Sequence, residues 1–401
     1  MHTTTGADPA RLINAQTFLD PYANFRRLRE EDPMHWIPEF GVWFLSRYED
    51  IVAVLKDDVH FSKERTRVEQ GLHPTVRKWL GPLFKDDPDH RRVRSVLERF
   101  FAVPNLQRFE HQLQGIIGDA VRRLQGSNEV DLIRDFAYDI PLVLMPLTLG
   151  LPQEDYPLFG AWAPGVADGF NPDPESKAWK NGAEAYEAVA DYLRQRMGEI
   201  RRNPPSEPTI LSLLIKASDA GTLSEEEAVG QAVLIFVGSH ETTLNLIGLS
   251  AFSFLRHPHE LEKLRRDPAM IPAGIEEVLR FDGPGHMCDR RVRKDIQLRG
   301  TQLQENDHVW LGLASANRDP LCCDRPEEFI IDRESAPRHL GFSQGIHLCL
   351  GRHLARLEAR IAIAHLFEAF PRMTLADSGP HPYNENLFVH GLRKLPVRLN
   401  G

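Results

Sequence analysis

The spacing of apolar and polar residues along this 401-residue chain is mainly helical. Apolar residues that recur every three or four positions predict amphipathic helices. These helices are expected over residues 50–56, 91–101, 105–125, 139–149, 183–202, 224–256, 271–280 and 352–370. Ser46 with Glu49, and Ser224 with Glu227, have the spacing of capping boxes, so each pair is expected to start a helix.

Strand patterns are short and few. Aromatic and β-branched residues over 35–45, with Gly41 between them, predict a β-hairpin, and further strands are expected near 309–313 and 395–399. Glycines and prolines predict loops over 164–176 and 203–208. No shift in composition marks a boundary, so residues 1–401 are expected to form one mainly α domain with a small β part.

Composition narrows the class of protein. Hydrophobic residues make up 42% and charged residues 26%, as in soluble globular proteins. A net charge of −9 argues against a nucleic-acid binder and gives no reason to expect binding to acidic membranes. Four cysteines in a chain of this length form no disulfide framework, which favours a reducing, cytoplasmic setting.

Targeting segments are not expected. The first residues lack the apolar core of a signal peptide. The most apolar stretch, 232–255, contains His240, Glu241 and Asn245, which predicts a buried core helix and not a membrane span. The chain ends soon after its last motif, so no fused reductase domain is expected.

Cys349 lies between a glycine-containing loop and the amphipathic helix predicted over 352–370. Backbone N–H groups and the helix dipole stabilise an anion at such a position, so the pKa of the Cys349 thiol is expected to be low. A buried structural cysteine is the alternative that the residues alone leave open.

The spacing of five residues around this cysteine resembles the cysteine-ligand loop of the cytochrome P450 family. Phe342, Gly345, His347, Cys349 and Gly351 fit the family pattern F-x-x-G-x-x-x-C-x-G. The resemblance implies haem b, with Cys349 as the iron ligand and His347 at a haem propionate. It also implies the family's single-domain fold, in which haem lies between an oxygen-binding helix and the helix after the cysteine.

Glu241 and Thr242 lie within the long apolar helix predicted over 224–256. The Thr242 hydroxyl can bond to the carbonyl of Gly238, four residues earlier. A polar face against a water-filled cavity is the alternative. The segment resembles the family's oxygen-binding helix, which makes Glu241 and Thr242 candidate catalytic residues for proton delivery. Ser239 and Ser343 stand where many members have glycine.

Further motifs agree with the resemblance. His90 and Arg94 lie one helical turn apart, which suits two groups that bind carboxylates, although a solvated charge cluster is the ordinary interpretation. The resemblance implies that both bind haem propionates, with Arg290 as a further propionate ligand. Glu277 and Arg280 resemble the family's buried structural ion pair.

The expected activity is that of a monooxygenase. It would activate O2 with two external electrons and hydroxylate a small lipophilic or natural-product substrate of secondary metabolism. Arg352, Arg356 and Arg360 recur on one helix face and could dock an acidic ferredoxin, itself reduced by an NAD(P)H-dependent reductase, although a solvated face is the default. Oxidative coupling, peroxide-driven oxidation and a non-catalytic haem sensor are the alternatives. The protein is expected to be a monomer.

The resemblance also places the substrate pocket, between residues 62–88, 164–176, 283–289 and 387–391. His286, Met287 and Phe388 are expected near the iron. The other cysteines, at 288, 322 and 323, are interpreted as structural or incidental.

Overall fold

The computed structural model describes residues 21–171, 173–334, 338–384 and 386–400. The signal-peptide prediction falls on residues outside this part of the chain. The helices are α1 Tyr22–Glu31, α2 Tyr48–Lys56, α3 Arg67–Gly71, α4 Pro74–Trp79, α5 Asp89–Glu98, α6 Val103–Leu106, α7 Glu110–Leu124, α8 Asp139–Leu149, α9 Tyr156–Asp168, α10 Lys177–Arg202, α11 Ile210–Asp219, α12 Glu225–Arg256, α13 Pro258–Arg266, α14 Ile271–Phe281, α15 Leu313–Ala316 and α16 Arg352–Ala369. The strands are β1 Met34–Ile37, β2 Val42–Leu45, β3 Phe61–Ser62, β4 Glu129–Asp131, β5 Met287–Val292, β6 Ile296–Leu298, β7 Thr301–Leu303, β8 His308–Gly312, β9 Thr374–Leu375 and β10 Pro396–Arg398.

The 32-residue helix α12 lies at the centre of the helical part. It packs against α8, α10, α11 and α16, and it buries residues on every side along its second half, as a core helix does. Its start is as predicted, because the Ser224 hydroxyl accepts from the Glu227 N–H while the Glu227 carboxylate accepts from the Ser224 N–H. It is also long and apolar enough to cross a membrane, but its residues are mostly buried in protein.

Two predicted boundaries are wrong. The predicted capping box of Ser46 and Glu49 does not form, because the second helix begins at Tyr48, whose N–H donates to the carboxylate of Asp319. The predicted loop over 164–176 begins too early, because α9 continues to Asp168 with Pro164 inside it. A Cβ at Gly165 would lie 2.7 Å from that of Ala185, so this glycine allows α9 to approach α10 closely.

Smaller differences concern helix ends. The helix predicted over 105–125 is divided into α6 and α7, and α10 begins at Lys177 instead of at 183. The helix predicted over 139–149 has the expected bounds.

The predicted hairpin is present as β1 and β2, with Gly41 in the left-handed region at φ 62°. It forms one side of a five-stranded sheet of order β1-β2-β8-β5-β3, in which β2 and β8 are parallel and the other pairs antiparallel. A second sheet has the order β4-β10-β9, and β6 pairs with β7. The five-stranded sheet matters for the site because β5 carries Arg290.

Candidate functional site

The loop before α16 holds Cys349 in a defined turn. The Cys349 N–H donates to the Phe342 carbonyl at 3.0 Å, and the Leu348 N–H donates to the Gly345 carbonyl at 3.1 Å. Gly345 has φ 75°, and a Cβ on it would collide with the Leu55 carbonyl oxygen, so glycine is required there. Ser343 also has positive φ, at 62°, which gives a physical reason for the glycine that many family members carry at this position.

The Cys349 side chain is accessible at its surface, although it lies deep within the fold and is surrounded by enough protein to desolvate its thiol. Burial raises its pKa, while the Gly351 N–H, which donates to the sulfur, and the charges of Arg94, Arg352 and Arg356 act in the opposite direction. The predicted low pKa at the helix start is therefore wrong for the protein chain by itself, because desolvation outweighs the helix terminus. A thiol in such a place becomes a thiolate when a metal cation binds it, so the position suits an iron ligand.

Basic side chains converge beside this loop on His347. The His347 and His90 rings lie 4.2 Å apart, and the His347 Nε2 is buried without a hydrogen-bond partner among the described residues. Burial, and then the charges of Arg290, His90, Lys63 and Arg94, lower the pKa of His347 to about 2. A neutral imidazole surrounded by basic groups fits an anionic ligand, such as the carboxylates of haem.

Different elements bring these groups together. His90 and Arg94 lie on α5, where His90 is buried and the Arg94 guanidinium donates to the Leu348 carbonyl at 2.6 Å. Arg290 is buried on β5. Lys63 is not among the predicted site residues. It follows β3, and its ammonium group forms a buried ion pair with the carboxylate of Asp289, the residue before Arg290. One lysine does not form a recognisable sequence motif. Only the pairing of β3 with β5 in the folded chain brings Lys63 next to the basic cluster.

Helix α12 faces open space around Gly238. This glycine is exposed within a core helix, and a Cβ on it would meet nothing within 4 Å. The predicted bond is present, since the Thr242 hydroxyl donates to the Gly238 carbonyl at 2.6 Å. Ser239 likewise donates to its own helix, at the Ile235 carbonyl. Glu241 is partly buried, and burial raises the pKa of its carboxyl.

The predicted pair of Glu277 and Arg280 is fully buried, and each side chain is 1% exposed. Two hydrogen bonds of 2.7 and 2.8 Å join the carboxylate to the guanidinium. Arg333 adds a second guanidinium, 3.1 Å from both Glu277 oxygens. Arg280 also donates to backbone carbonyls of residues 317, 326 and 328, so the pair fixes the chain leading to the cysteine loop.

His286 belongs to a buried cluster with Asp282 and His390, whose ligand atoms lie within 4.8 Å of one another. The two imidazole rings are stacked at 4.0 Å with an angle of 14°, and Tyr22 donates to Asp282 at 2.6 Å. Nitrogen lone pairs in nearly parallel, stacked rings do not point at one metal ion, so we interpret the cluster as structural.

Met287 and Phe388, the other two side chains expected near the iron, are packed against other side chains of the protein. Met287 belongs to the core cluster that contains Phe25 and Trp310, and Phe388 packs on Trp310 with the rings 5.4 Å apart. The remaining cysteines are half-buried at Cys288 and buried at 322 and 323.

A groove of about 740 Å³ lies between the cysteine loop and α5. Arg91, Arg94, Arg352 and His353 are among its lining residues. The predicted arginine stripe is altered, because Arg356 is bound by both oxygens of the Glu276 carboxylate, at 2.5 and 2.7 Å.

Comparisons with known proteins agree with this geometry. The sequence pattern of the family "Cytochrome P450" matches residues 170–399. The chain is 34% identical to vitamin D(3) 25-hydroxylase of Pseudonocardia autotrophica, over 99% of this chain and 98% of that protein. It is 32% identical to cytochrome P450 107B1 of Saccharopolyspora erythraea, over 98% and 99%.

Solved structures show the same fold. The crystal structure of CalO2 superposes with a TM-score of 0.89 at 31% identity, covering 98% of this chain and 99% of that one. The predicted mainly α fold with a small β part is therefore confirmed. The prediction of an oxygen-incorporating enzyme, instead of a haem sensor, is confirmed as well. The chain belongs to the cytochrome P450 family and is a haem-thiolate monooxygenase.

Proposed function

We propose that Cys349 ligates the haem iron, and that Phe342 and Gly351 shape the loop around that ligand. The observation that carries the proposal is the convergence of His90, Arg94 and Arg290 on His347, beside an accessible thiol deep in the fold. Haem, when bound, supplies the iron at which dioxygen is reduced and activated for insertion into a substrate. Cys349 supports that chemistry by electron donation.

The basic cluster has the charge and burial needed to hold carboxylates. Arg94 and Arg290, joined by Lys63, would offset the charge of the two haem propionates. His90, whose pKa burial lowers, would hydrogen-bond to them as a neutral imidazole, and His347 would donate a hydrogen bond from its unpaired Nε2. Carboxylates at this place would in turn offset the mutual repulsion of the basic groups, which by itself costs folding free energy.

Glu241 and Thr242 would organise proton delivery on the other side of the cofactor. Thr242 is anchored by its bond to the Gly238 carbonyl, which leaves the hydroxyl oxygen free to accept. Burial moves the pKa of Glu241 toward neutral pH, where a carboxyl group can both take up and release a proton.

Two experiments test these roles. The reduced carbon monoxide complex should show the strongly red-shifted Soret band of a thiolate ligand, and a band at the position of histidine-ligated haem would refute the assignment of Cys349. Thr242→Ala should keep haem and the substrate-induced spectral shift while more of the electrons from NADH end in hydrogen peroxide. The buried neighbour Thr243→Ser is the matched control. Unchanged coupling in Thr242→Ala would refute the proton-delivery role.

The proposed substrate is a small lipophilic molecule of the polyketide or steroid type. Among similar proteins, 6-deoxyerythronolide B hydroxylase of Saccharopolyspora erythraea is 28% identical over 96% of this chain. A structure of CYP109E1 from Bacillus megaterium in complex with testosterone matches at 29% identity with a TM-score of 0.88. Titration with testosterone, vitamin D3 and a macrolide should give a spin-state shift with one class, and product mass then identifies hydroxylation. If none of these compounds changes the spectrum, this substrate class is wrong.

We further propose that the protein is a cytoplasmic monomer, a single catalytic domain that receives electrons from a ferredoxin served by an NAD(P)H-dependent reductase. An acidic ferredoxin suits the groove beside the cysteine loop, where the Arg91 side chain is 80% exposed and Arg352 lines the surface.

Charge reversal tests the docking face. Arg91→Glu with Arg352→Glu should slow reduction by ferredoxin and leave reduction by dithionite unchanged. Arg266→Glu on α13, whose side chain is 77% exposed, is the control. Equal ferredoxin rates in both variants would exclude this face.

A further inference from the structure

Arg356, on the second turn of α16, is held by a carboxylate from another helix. Its Nε and one terminal nitrogen donate to the two oxygens of Glu276 on α14, at 2.5 and 2.7 Å. A bond with two parallel arms fixes the plane of the guanidinium as well as its position. The Arg356 and Glu276 side chains are 26% and 30% exposed, so water screens their charges in part. What the pair fixes above all is therefore the orientation of Arg356.

The fixed guanidinium lies over the ring of Phe342, the first residue of the motif around the cysteine. Its central carbon is 4.5 Å from the ring centroid, within the range of a cation–π contact. The carbonyl of Phe342 accepts from the Cys349 N–H at 3.0 Å. Any movement of Phe342 would therefore also move the backbone of Cys349.

The same carboxylate binds the segment before the cysteine loop. The His339 Nδ1 accepts from the Gly341 N–H at 3.1 Å, so the ring proton of His339 lies on Nε2. That Nε2 is 3.0 Å from a Glu276 oxygen and donates to it. Burial acts to raise the pKa of Glu276, but the bonds from Arg356 and His339 outweigh it and lower this pKa to about 2. Glu276 is thus an ionised carboxylate that joins the chain before the loop to the helix after it.

Helix α14 gives this carboxylate a fixed place. A Cβ at Gly341 would lie 2.9 Å from the Leu279 carbonyl oxygen, so the chain entering the loop lies directly against α14. The next residue of the helix, Glu277, is bound in the buried pair with Arg280. Glu276 therefore projects from a helix that is anchored in the core.

We propose that Arg356 is a positioning residue for the iron ligand: held by Glu276, it packs on Phe342 and keeps Cys349 in the place where it binds iron. This inference rests on the proposed ligation of haem iron by Cys349. It gives Arg356 a role other than the ferredoxin docking predicted from the arginine stripe. Lysine at this position would keep the positive charge but lose both the two-armed bond and the planar contact with the ring.

The reduced carbon monoxide complex of the haem-loaded protein reports the ligand itself. In urea too dilute to unfold the protein, the red-shifted thiolate band should convert to the shorter-wavelength band about fivefold faster in Arg356→Lys, the rate effect of losing roughly 1 kcal/mol. Glu276→Gln should have the same effect. The double variant should convert no faster than the faster single variant, because both changes release the same guanidinium.

Two controls separate this role from a general loss of stability. Arg360→Lys makes the same substitution one turn further along α16. Tyr192→Phe removes a hydrogen bond of 2.6 Å to Asp155, which joins α10 to the turn before α9, and so weakens the fold by a similar amount. Both controls should convert at the rate of the original protein.

Each outcome is decisive. Absence of the thiolate band in the original protein would refute the ligation of iron by Cys349, and this inference with it. A thiolate band that is present there and converts no faster in Arg356→Lys would overturn the positioning role alone. Equal acceleration in Tyr192→Phe, or additive effects of Arg356→Lys and Glu276→Gln, would also overturn the proposal.

Discussion

Replacing Glu277 with glutamine should be among the most damaging conservative changes in this protein. The carboxylate is 1% exposed, and it accepts hydrogen bonds from Arg280, Arg333 and the Ile330 N–H at 2.7 to 3.1 Å. A glutamine amide presents N–H donors to guanidinium donors and leaves two cations without a counter-charge. Breaking a buried ion pair in this way costs about 3–5 kcal/mol. That is a large part of the roughly 5–15 kcal/mol that stabilises a typical protein.

Urea unfolding of the haem-loaded protein, followed by circular dichroism and by the haem absorbance, measures the cost. Glu277→Gln should lower the midpoint of both transitions without changing their slope. The matched control is Glu262→Gln, which removes an exposed pair with Arg266 at 3.0 Å and should cost at most about 1 kcal/mol. Equal losses in the two variants would refute the reasoning, because burial would then make no difference.

Three further changes have defined outcomes. Gly345→Ala should abolish most haem incorporation, because the added Cβ collides with the Leu55 carbonyl. The control Gly198→Ala, in open space on α10, should instead stabilise the folded protein by about 1 kcal/mol. A normal haem-to-protein ratio in Gly345→Ala would contradict this reasoning. Burial lowers the pKa of His240 in the folded protein to about 4. As the pH falls below about 6.5, this histidine therefore becomes protonated in the unfolded chain but not in the folded one. The free energy of unfolding should then fall by up to about 1.4 kcal/mol per pH unit until about pH 4. His240→Leu should flatten that slope, and an equal slope in both proteins would exclude the histidine. Asp319→Ala removes the cap of α2 and should cost about 1 kcal/mol in the unfolding free energy; no loss would mean that the Tyr48 N–H finds water instead.

The sequence is most informative where the deciding contacts are local. The capping box at Ser224, the Thr242 bond to Gly238 and the Glu277–Arg280 pair each join residues three or four positions apart, so helical geometry alone predicts them. The loop at Cys349 is also encoded within ten consecutive positions, 342–351, which is why its spacing is recognisable in the chain itself.

Local patterns mislead where tertiary packing supplies the partner. Ser46 has the spacing of a helix cap, yet Asp319, far along the chain, provides the cap of α2. Proline and glycine at 164 and 165 favour a loop, but the approach of α9 to α10 explains Gly165 and keeps the segment helical. Burial against a neighbouring element outweighs a residue's intrinsic preference.

The sequence by itself determined the family, the candidate iron ligand and the candidate proton-delivery pair, because each is written in residues close together in the chain. Only the tertiary structure placed Lys63 in the basic cluster, joined Arg333 to Glu277 and paired Arg356 with Glu276. These partners come from distant segments, and their distances are set by how helices and strands pack. No pattern of spacing along the chain records that packing.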